Sequence, residues 1–189
     1  MLLQYAFGYA PVTLDDISEN CDSQRKPVTK GNRSAGKYPY YGASGIVDYV
    51  DDYIYDGGYL LISEDGANLV ARVTPIAFSI SGKNWVNNHA HVLKFRNPYE
   101  QRYVEMYLNS MDLSKFISGA AQPKLNQKNL NSIEILLPGK AETKRIVEVL
   151  NRFDKLCNDL SFGLPAEIEA RKKQYEYYRD KLLTFKEKA

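Results

Sequence analysis

Hydrophobic residues in the last third of the chain follow two different repeats, and each repeat predicts a helix. From Thr143 onward they recur every three or four positions, with charged residues such as Lys144, Glu148 and Asp154 between them. This spacing places the apolar side chains on one face of an α-helix, which we expect at about 141–161. The residues of this face are Ile146, Val149, Leu150, Phe153, Leu156, Cys157 and Leu160.

A second helix is predicted at about 165–186. Gly163 suits a left-handed position that ends the first helix, and Pro165 suits the first turn of the next one. Hydrophobic residues then recur every seven positions, which is typical of a coiled coil. The residues of this seam are Ile168, Tyr175 and Leu182, with Tyr178 and Phe185 on the adjoining row. Three heptads are marginal alone in water, so we expect an arm that docks on a partner; the alternative is that both helices cover the chain's own sheet.

The part of the chain before these helices mixes strand and helix patterns. Short apolar runs at 59–63 and 76–80 predict buried strands. The sequence Asn97-Pro98-Tyr99-Glu100 is typical of a helix start, and this helix is expected to end at about Asn109. We therefore predict an α+β fold with three parts. These parts are an apolar leader at 1–10, a mixed-sheet domain at 11–138 and a helical coiled-coil arm at 139–189.

Composition indicates an ordinary globular protein of modest charge. Hydrophobic residues make up 44% of the chain and charged residues 25%, and the net charge is +2. An autonomous DNA-binding domain is usually more basic, so the charge argues mildly against tight unaided DNA binding. The 15 tyrosines, against one tryptophan, favour a binding surface, since tyrosine combines a flat apolar ring with a polar tip.

Two observations concern the compartment. Cys21 and Cys157 are far apart in unlike contexts, and we expect free thiols in a reducing cytoplasm. We find no secretion signal and no apolar run long enough to cross a membrane, so no membrane contact is expected.

Four segments carry side chains suited to contact with a nucleic acid. Basic residues in a loop could neutralise phosphates, glycine and tyrosine at 36–45 allow close approach and stacking, and asparagine amides match the edge of adenine. Solvated loops and turn geometry are the alternative explanation for each segment. The candidates are Arg25, Lys26, Lys37, Tyr40, Tyr41, Lys83, Asn84, Asn87, Asn88, Gln122, Lys124, Asn126 and Gln127.

Signs of catalysis are weak. Asp56, Glu64 and Asp65 could supply the carboxylates of a metal-dependent nuclease, but no Glu-x-Lys follows at a useful spacing. His89 and His91 could bind zinc, yet no further ligand lies nearby in the sequence, and we interpret them as hydrogen-bonded structural histidines. No glycine-rich cofactor loop is present either. Together these observations predict neither a metal site nor catalytic residues.

Longer motifs in the second half resemble one protein family. They lie at 120–127 (AAQPKLNQ), 133–138 (IEILLP), 144–147 (KRIV), 163–171 (GLPAEIEAR) and 174–183 (QYEYYRDKLL). Together they resemble the specificity subunits of type I restriction-modification enzymes, from about Pro11 to Glu187. Residues 139–143 depart from the family pattern, which affects the expected start of the first helix.

The resemblance implies one target-recognition domain followed by a conserved helical region, where family members usually carry two such units. It implies a non-catalytic subunit that reads one half of a bipartite DNA site and docks adenine-N6 methyltransferase subunits, with restriction subunits joining for cleavage. S-adenosylmethionine, ATP and magnesium would then belong to the partner subunits, and this chain would bind no cofactor.

The single unit predicts an assembly of two copies. We expect the helical arms to pair antiparallel, so that the dimer reads an inverted repeat with an unread spacer. The alternative is an adaptor or decoy that docks the methyltransferase and does not read DNA, and the near-neutral charge favours it.

Overall fold

The computed structural model describes residues 8–119, 121–159 and 163–183. It contains two compact units, which we call the globular unit and the helical unit, and they meet between Lys144 and Arg145. This boundary lies beyond the predicted domain end at residue 138. The reason is the buried Thr143, whose hydroxyl lies 3.1 Å from the Pro138 carbonyl oxygen and 3.2 Å from that of Gly139. These contacts hold the first turn of the following helix in the globular unit.

The described part of the globular unit contains ten strands in three sheets. The strands are β1 (Tyr9–Thr13), β2 (Ser18–Asn20), β3 (Ala35–Gly42), β4 (Gly45–Val50), β5 (Tyr55–Asp56), β6 (Tyr59–Ser63), β7 (Ala77–Ile80), β8 (Lys83–Val86), β9 (Ala90–Phe95) and β10 (Glu134–Pro138). Helices α1 (Leu14–Ile17), α2 (Asn68–Ala71), α3 (Pro98–Ser110) and α4 (Gln127–Asn131) lie between them, with 3-10 turns at Asp22–Gln24, Lys30–Asn32 and Ser114–Phe116.

The strand orders are β1-β10, β2-β9-β6-β7 and β4-β3-β8-β5. Strands β3 and β8 run parallel, and the other neighbours run antiparallel. The prediction of an α+β fold with a mixed sheet is therefore confirmed.

Strand β1 corrects the predicted leader. Tyr9 and Ala10 pair with Pro138 and Leu137 of β10, and Ala10 is buried. These two residues therefore belong to the globular unit, whereas residues 1–7 lie outside the described part.

Strand β6 is the centre of the packing. All five of its residues are buried, and its four hydrophobic residues alternate between two clusters, as the period of a strand requires. Leu60 and Ile62 face a cluster that includes Val104 of α3. Leu61 faces a second cluster that includes Val86 of β8. The four-stranded sheet containing β6 thus lies between α3 and the β4-β3-β8-β5 sheet, which explains why the sequence shows an apolar run rather than an alternation.

Two longer helices follow, α5 (Lys140–Asn158) and α6 (Leu164–Leu183). Both predicted helices are present, with bounds shifted by a few residues. The left-handed conformation at Gly163 stays a prediction, because its φ angle also depends on residue 162, which lies outside the described part. A Cβ at this position would lie 2.4 Å from the Leu156 carbonyl oxygen, so the close approach of the chain requires glycine. None of the described helices is long and apolar enough to span a membrane.

Candidate nucleic-acid interface

Several loops meet at one end of the two four-stranded sheets, and we call this surface the loop edge. It consists of residues 43–44, 64–67, 87–89, 118–119 and 121–126. The turn after β3 is joined to the end of β6, since the Ser63 hydroxyl donates to the Ala43 carbonyl oxygen at 2.6 Å. Loops held by a rigid scaffold in this way are frequent sites of recognition.

Backbone hydrogen bonds join the other loops of this edge. The Glu64 N–H donates to the His89 carbonyl oxygen at 2.9 Å, and the Leu125 N–H donates to the Glu64 carbonyl oxygen at 2.8 Å. The Asn87 N–H donates to the Tyr41 carbonyl oxygen at 3.0 Å. Segments that are far apart in sequence therefore form one continuous surface.

A buried network of charges lies beneath the loop edge. The Asp22 carboxylate accepts hydrogen bonds from His91 Nδ1 at 2.5 Å and from the Val92 N–H at 2.8 Å. The other ring nitrogen of His91 lies 2.7 Å from the Leu125 carbonyl oxygen. Both ring nitrogens of His91 thus have oxygen partners. His91 therefore connects β9 to the Asp22 turn on one side and to the loop edge on the other.

Glu64 extends the network by pairing with two cations. Its Oε2 lies 2.5 Å from Nη1 of Arg25, and its Oε1 lies 3.1 Å from Nζ of Lys124. Burial raises the pKa of Asp22, but His91, the Val92 N–H and the charge of Arg25 together outweigh it, so the pKa lies below its usual value. Burial likewise opposes ionisation of Glu64, yet the contact with Arg25 helps to hold the pKa of that carboxyl below its ordinary value. Both carboxylates are thus stabilised as anions.

The same residues have the spacing of a metal site, but their bonding does not fit one. Ligand atoms of Asp22, Glu64 and His91 lie within 4.8 Å of one another. Arg25 and Lys124 already balance the carboxylates, and both ring nitrogens of His91 already have oxygen partners. A divalent cation would have to displace these charges, so the arrangement is that of an internal salt-bridge network.

The nuclease hypothesis is contradicted by the position of Asp56. This residue pairs with Lys83 at the amino end of β8, whereas Glu64 and Asp65 lie at the loop edge, beyond the carboxyl end of that strand. The three carboxylates therefore do not converge on one metal position.

Several predicted contact residues are exposed at the loop edge. Asn88, Gln122 and Lys124 have exposed side chains. Gln127 is exposed at the start of α4, and Asn126 is partly buried as the N-cap, where its side chain accepts from the Asn129 N–H at 2.9 Å. This end of the sheets thus retains much of the predicted recognition set.

Backbone at the loop edge also leaves room for a close neighbour. Gly45, just after the β3–β4 turn, has φ of +124°, and Gly66 has φ of +105°. No atom lies within 4 Å of the position where a Cβ would stand at either glycine. A large ligand such as a duplex can therefore approach the main chain there.

Three other predicted contact residues are buried by the fold, and a fourth, Arg25, is mostly buried. Tyr40 is only 1% exposed and its hydroxyl accepts from the Val28 N–H at 2.9 Å. Asn84 is fully buried and donates to the Gly82 carbonyl oxygen at 2.8 Å. The predictions of DNA contact by these two side chains are wrong, because both face the interior between strands.

Asn87 and Arg25 have structural contacts as well. The buried Asn87 accepts from the His89 N–H at 2.8 Å and so shapes the β8–β9 turn. Arg25 is mostly buried in ion pairs with Asp22 and Glu64. Their side chains form the support of the loop edge rather than its surface, which corrects their prediction as contact residues.

Two other predicted contact residues, Lys37 and Lys83, lie at the opposite end of the β4-β3-β8-β5 sheet, beside two tyrosines. We call Lys37, Tyr38, Tyr53 and Lys83 the tyrosine–lysine cluster. The rings of Tyr38 and Tyr53 are 5.1 Å apart, and Nζ of Lys83 lies 4.5 Å from the centre of the Tyr53 ring. The part of β3 from Lys37 to Gly42 is an extended segment of roughly 17 Å. Gly42 lies next to the loop edge, so Lys37 is about this far from it. The predicted lysines therefore do not all lie on the surface that carries Asn88.

The last two predicted contact residues are Lys26 and Tyr41. Lys26 is exposed, and its carbonyl oxygen accepts from the indole N–H of Trp85 at 2.6 Å. Tyr41 is partly buried with its ring 6.1 Å from that of Phe78.

The interpretation of both histidines as structural agrees with the buried His91. It does not describe His89, whose side chain is exposed. The His89 side chain is 52% exposed, and its Nδ1 lies 2.9 Å from an Asp65 carboxylate oxygen. No local pattern predicts this pair, because the two residues are separated by 24 positions and lie in different turns.

The helical unit exposes most of its predicted seam. Ile168, Tyr175 and Leu182 of α6 are 67%, 66% and 71% exposed. Tyr178 and Phe153 are exposed as well, and Ile146 is partly buried. The predicted seam residues Leu160 and Phe185 lie outside the described part.

Comparison with known proteins identifies the class. The family model of the type I restriction modification DNA specificity domain matches residues 8–170. This match includes the globular unit from Gly8 and extends into α6. The chain therefore belongs to the family of type I restriction-modification specificity domains, as its motifs predicted.

Curated relatives agree with this family. A putative type I restriction enzyme specificity subunit of Haemophilus influenzae is 36% identical over 178 residues, which are 92% of this chain and 46% of the relative. A putative type I specificity subunit of Mycoplasma pneumoniae is 31% identical over 186 residues, which are 94% of this chain and 76% of the relative. The chain thus spans about half the length of the first relative and three quarters of the second.

Solved structures show the same fold. The type I restriction-modification S subunit of M. genitalium superposes with a TM-score of 0.64 at 17% identity, covering 91% of this chain and 45% of that subunit. A chain from a study of assembly and conformational transition in a type I restriction-modification system gives a TM-score of 0.63 at 18% identity, covering 93% of this chain and 48% of that one.

Proposed function

We propose that this chain is a DNA-recognition subunit that reads one half of a bipartite target of a type I restriction-modification enzyme. The observation that carries the proposal is the family match over residues 8–170, which includes both the loop edge and the beginning of α6. A chain that spans about half of its H. influenzae relative would supply one recognition domain where that relative has room for two.

The loop edge is the surface that we assign to base reading. Its exposed groups are amides, a lysine and an imidazole, and such donors and acceptors match the edges of bases in the major groove. Rigid support favours specificity, since a side chain aimed wrongly loses its hydrogen bond. The buried pairs of His91 and Glu64 provide that support.

The low net charge of the chain favours a partner protein that supplies part of the phosphate contact. The net charge of +2 is low for a protein that binds DNA alone. Lysines of the tyrosine–lysine cluster are exposed and could contact the backbone beside the read bases. We assign the larger part of the phosphate contact to methyltransferase subunits that dock on the chain.

The helical unit is proposed to set the spacing between two recognition domains. Its exposed apolar side chains favour burial against another helix, because each contributes about 1.5–3 kcal/mol when removed from water. We propose that two copies pair their arms antiparallel and that modification and restriction subunits join this assembly. In that complex, S-adenosylmethionine, ATP and magnesium bind to the partner subunits and this chain has no catalytic role.

A second candidate is an adaptor that docks the methyltransferase without reading DNA. The near-neutral charge favours it. This candidate and the first one differ in whether the chain selects a base sequence.

Selection from a pool of duplexes with a randomised central segment separates the two candidates. The purified chain is mixed with the pool, alone and together with its modification subunit, and the retained duplexes are sequenced. A specificity subunit enriches one motif in at least one of these mixtures. An adaptor binds the modification subunit and leaves the base composition of the pool unchanged.

A further inference from the structure

The exposed pair of His89 and Asp65 is placed differently from the buried pairs below it. Nδ1 of His89 lies 3.1 Å and 2.9 Å from the two carboxylate oxygens of Asp65. The ring is 52% exposed and the Asp65 side chain 34%. Among the described residues, no hydrogen bond involves the ring's other nitrogen, Nε2. The pair therefore presents one free, oriented nitrogen at the loop edge.

The carboxylate fixes the chemical character of that nitrogen. An ionised carboxylate only accepts hydrogen bonds, so Nδ1 carries the proton that faces Asp65. In the neutral ring Nε2 is then an acceptor. After a second proton is bound Nε2 becomes a donor. One side chain can thus present either of two complementary patterns, depending on pH.

Neighbouring groups keep the ring in place and set the local charge. The His89 backbone is held by the Glu64 N–H at 2.9 Å. Glu64 itself is paired with Arg25 and Lys124, and Lys124 forms a β-bridge with Asp65. The titratable and charged groups around His89 are therefore Asp65, Glu64, Arg25 and Lys124, with Asp22 and His91 in the same network beneath them. Because carboxylates and cations alternate in this set, this part of the surface does not attract a phosphate strongly, which favours contact with a base.

We propose that His89, oriented by Asp65, is a base-reading residue whose preference depends on pH. With a neutral ring, Nε2 accepts from the exocyclic amino group of adenine or cytosine. With a protonated ring, Nε2 donates to an acceptor such as O6 or N7 of guanine. The inference rests on the proposed function, because it assigns one contact within the proposed recognition surface. Asp65 is a positioning residue, since it acts through the imidazole.

The test repeats the selection from the randomised duplex pool at about pH 5.5 and about pH 8.5, on either side of the range in which histidine usually changes charge. The full chain is used with its modification subunit. One position of the enriched motif is expected to be adenine or cytosine at the higher pH and to move toward guanine at the lower pH. His89→Gln should abolish this pH dependence and change the preference at that position about two- to tenfold, the value of one hydrogen bond.

Two further variants make the result specific. Asp65→Asn should weaken discrimination at the same position and leave the others unchanged. Glu134→Gln, which removes an exposed carboxylate from β10, should keep the wild-type motif at both pH values. Circular dichroism and urea unfolding verify that each variant is folded.

The outcomes separate this inference from the function on which it rests. A motif that is enriched by wild type but is identical in His89→Gln at both pH values overturns the role of His89 and leaves the proposed function intact. A uniform gain of affinity at low pH without any change of base also overturns it, because it indicates a phosphate contact. Failure of wild type to enrich any motif overturns both proposals together.

Discussion

The two units of the chain depart from the usual distribution of side chains in opposite ways. The globular unit buries charged groups, Asp22, Glu64 and His91, beneath its loop edge. The helical unit exposes apolar groups such as Tyr175 and Leu182. Ordinary globular surfaces tend toward the reverse. Buried charges with full hydrogen bonding fix a geometry, whereas a row of exposed apolar side chains favours association, so the contrast supports the proposal of a rigid reading unit joined to a connecting arm.

The largest effect is expected from breaking the buried network. Asp22→Ala removes the carboxylate that faces the buried His91 ring and the Val92 N–H. Loss of one partner from a buried pair costs about 3–5 kcal/mol, and urea unfolding should show a decrease of that size. The matched control is Asp48→Ala, whose partner Arg33 lies 3.0 Å away in a more exposed pair; it should cost about 1 kcal/mol or less. Equal losses for the two variants would contradict the special role of the network.

The next effect concerns the arm and should appear in association rather than stability. Tyr175→Asp places a charge in the predicted seam, and Tyr177→Asp places one two positions away, on roughly the opposite side of the helix. Both tyrosines are similarly exposed, at 66% and 60%. We expect Tyr175→Asp to raise the dimer dissociation constant by about ten- to a hundredfold, as for the loss of one buried side chain.

Sedimentation across a concentration series measures this constant. The Tyr177→Asp protein should stay close to wild type, and neither change should alter the unfolding of the globular unit. A strictly monomeric wild type at tens of micromolar, or equal behaviour of the two variants, would argue against the seam.

Acid should weaken the globular unit through the same network. The pKa values of Asp22 and Glu64 are lowered in the fold, by contacts with His91 and Arg25 that outweigh burial. A carboxyl with a lowered pKa stabilises the fold above its unfolded pKa of about 4, and this contribution is lost as the pH falls through the folded pKa. The free energy of unfolding should therefore decrease from about pH 5 downward. Glu64→Gln should have lower stability at neutral pH and a shallower decrease in acid; an unchanged slope would show that Glu64 does not contribute.

The smallest effect distinguishes the two ends of the β4-β3-β8-β5 sheet. Lys37→Gln, in the tyrosine–lysine cluster, should weaken binding to all duplexes alike and reduce the salt slope by about one. Asn88→Ala, at the loop edge, should leave the slope unchanged and relax the preference at one base pair. Binding isotherms at several salt concentrations provide both quantities. If Lys37→Gln relaxed the base preference and Asn88→Ala reduced the salt slope, the roles of the two surfaces would be exchanged.

Local patterns were sufficient to predict two of the buried strands and the three longest helices. The apolar run at β6, the N-cap at Asn97 and the helical spacing from Thr143 each depend on neighbours in sequence, which is why α3, α5 and α6 were expected close to their observed positions. The apolar leader was misjudged because the pairing of β1 with β10 joins opposite ends of the globular unit.

The candidate site depended on contacts that no local pattern contains. Asp22 and His91 are 69 positions apart, and the network between them was not expected. Tyr40 and Asn84 have side chains suited to DNA, but β3 and β8 turn them inward, so residue type alone gave the wrong assignment. His89 was interpreted as structural because only the folded chain brings Asp65 to its ring.

Mapping of methylated bases in the genome of cells that carry this chain with its modification subunit tests the central claim most directly. A rigid reader joined to a pairing arm predicts methylated adenines in both halves of an inverted repeat, separated by a spacer of constant length and free sequence. Cells with Tyr175→Asp should lose this modification, whereas cells with Tyr177→Asp should keep it. Methylation without a repeated half-site, or the same methylome in cells without the chain, would contradict the account.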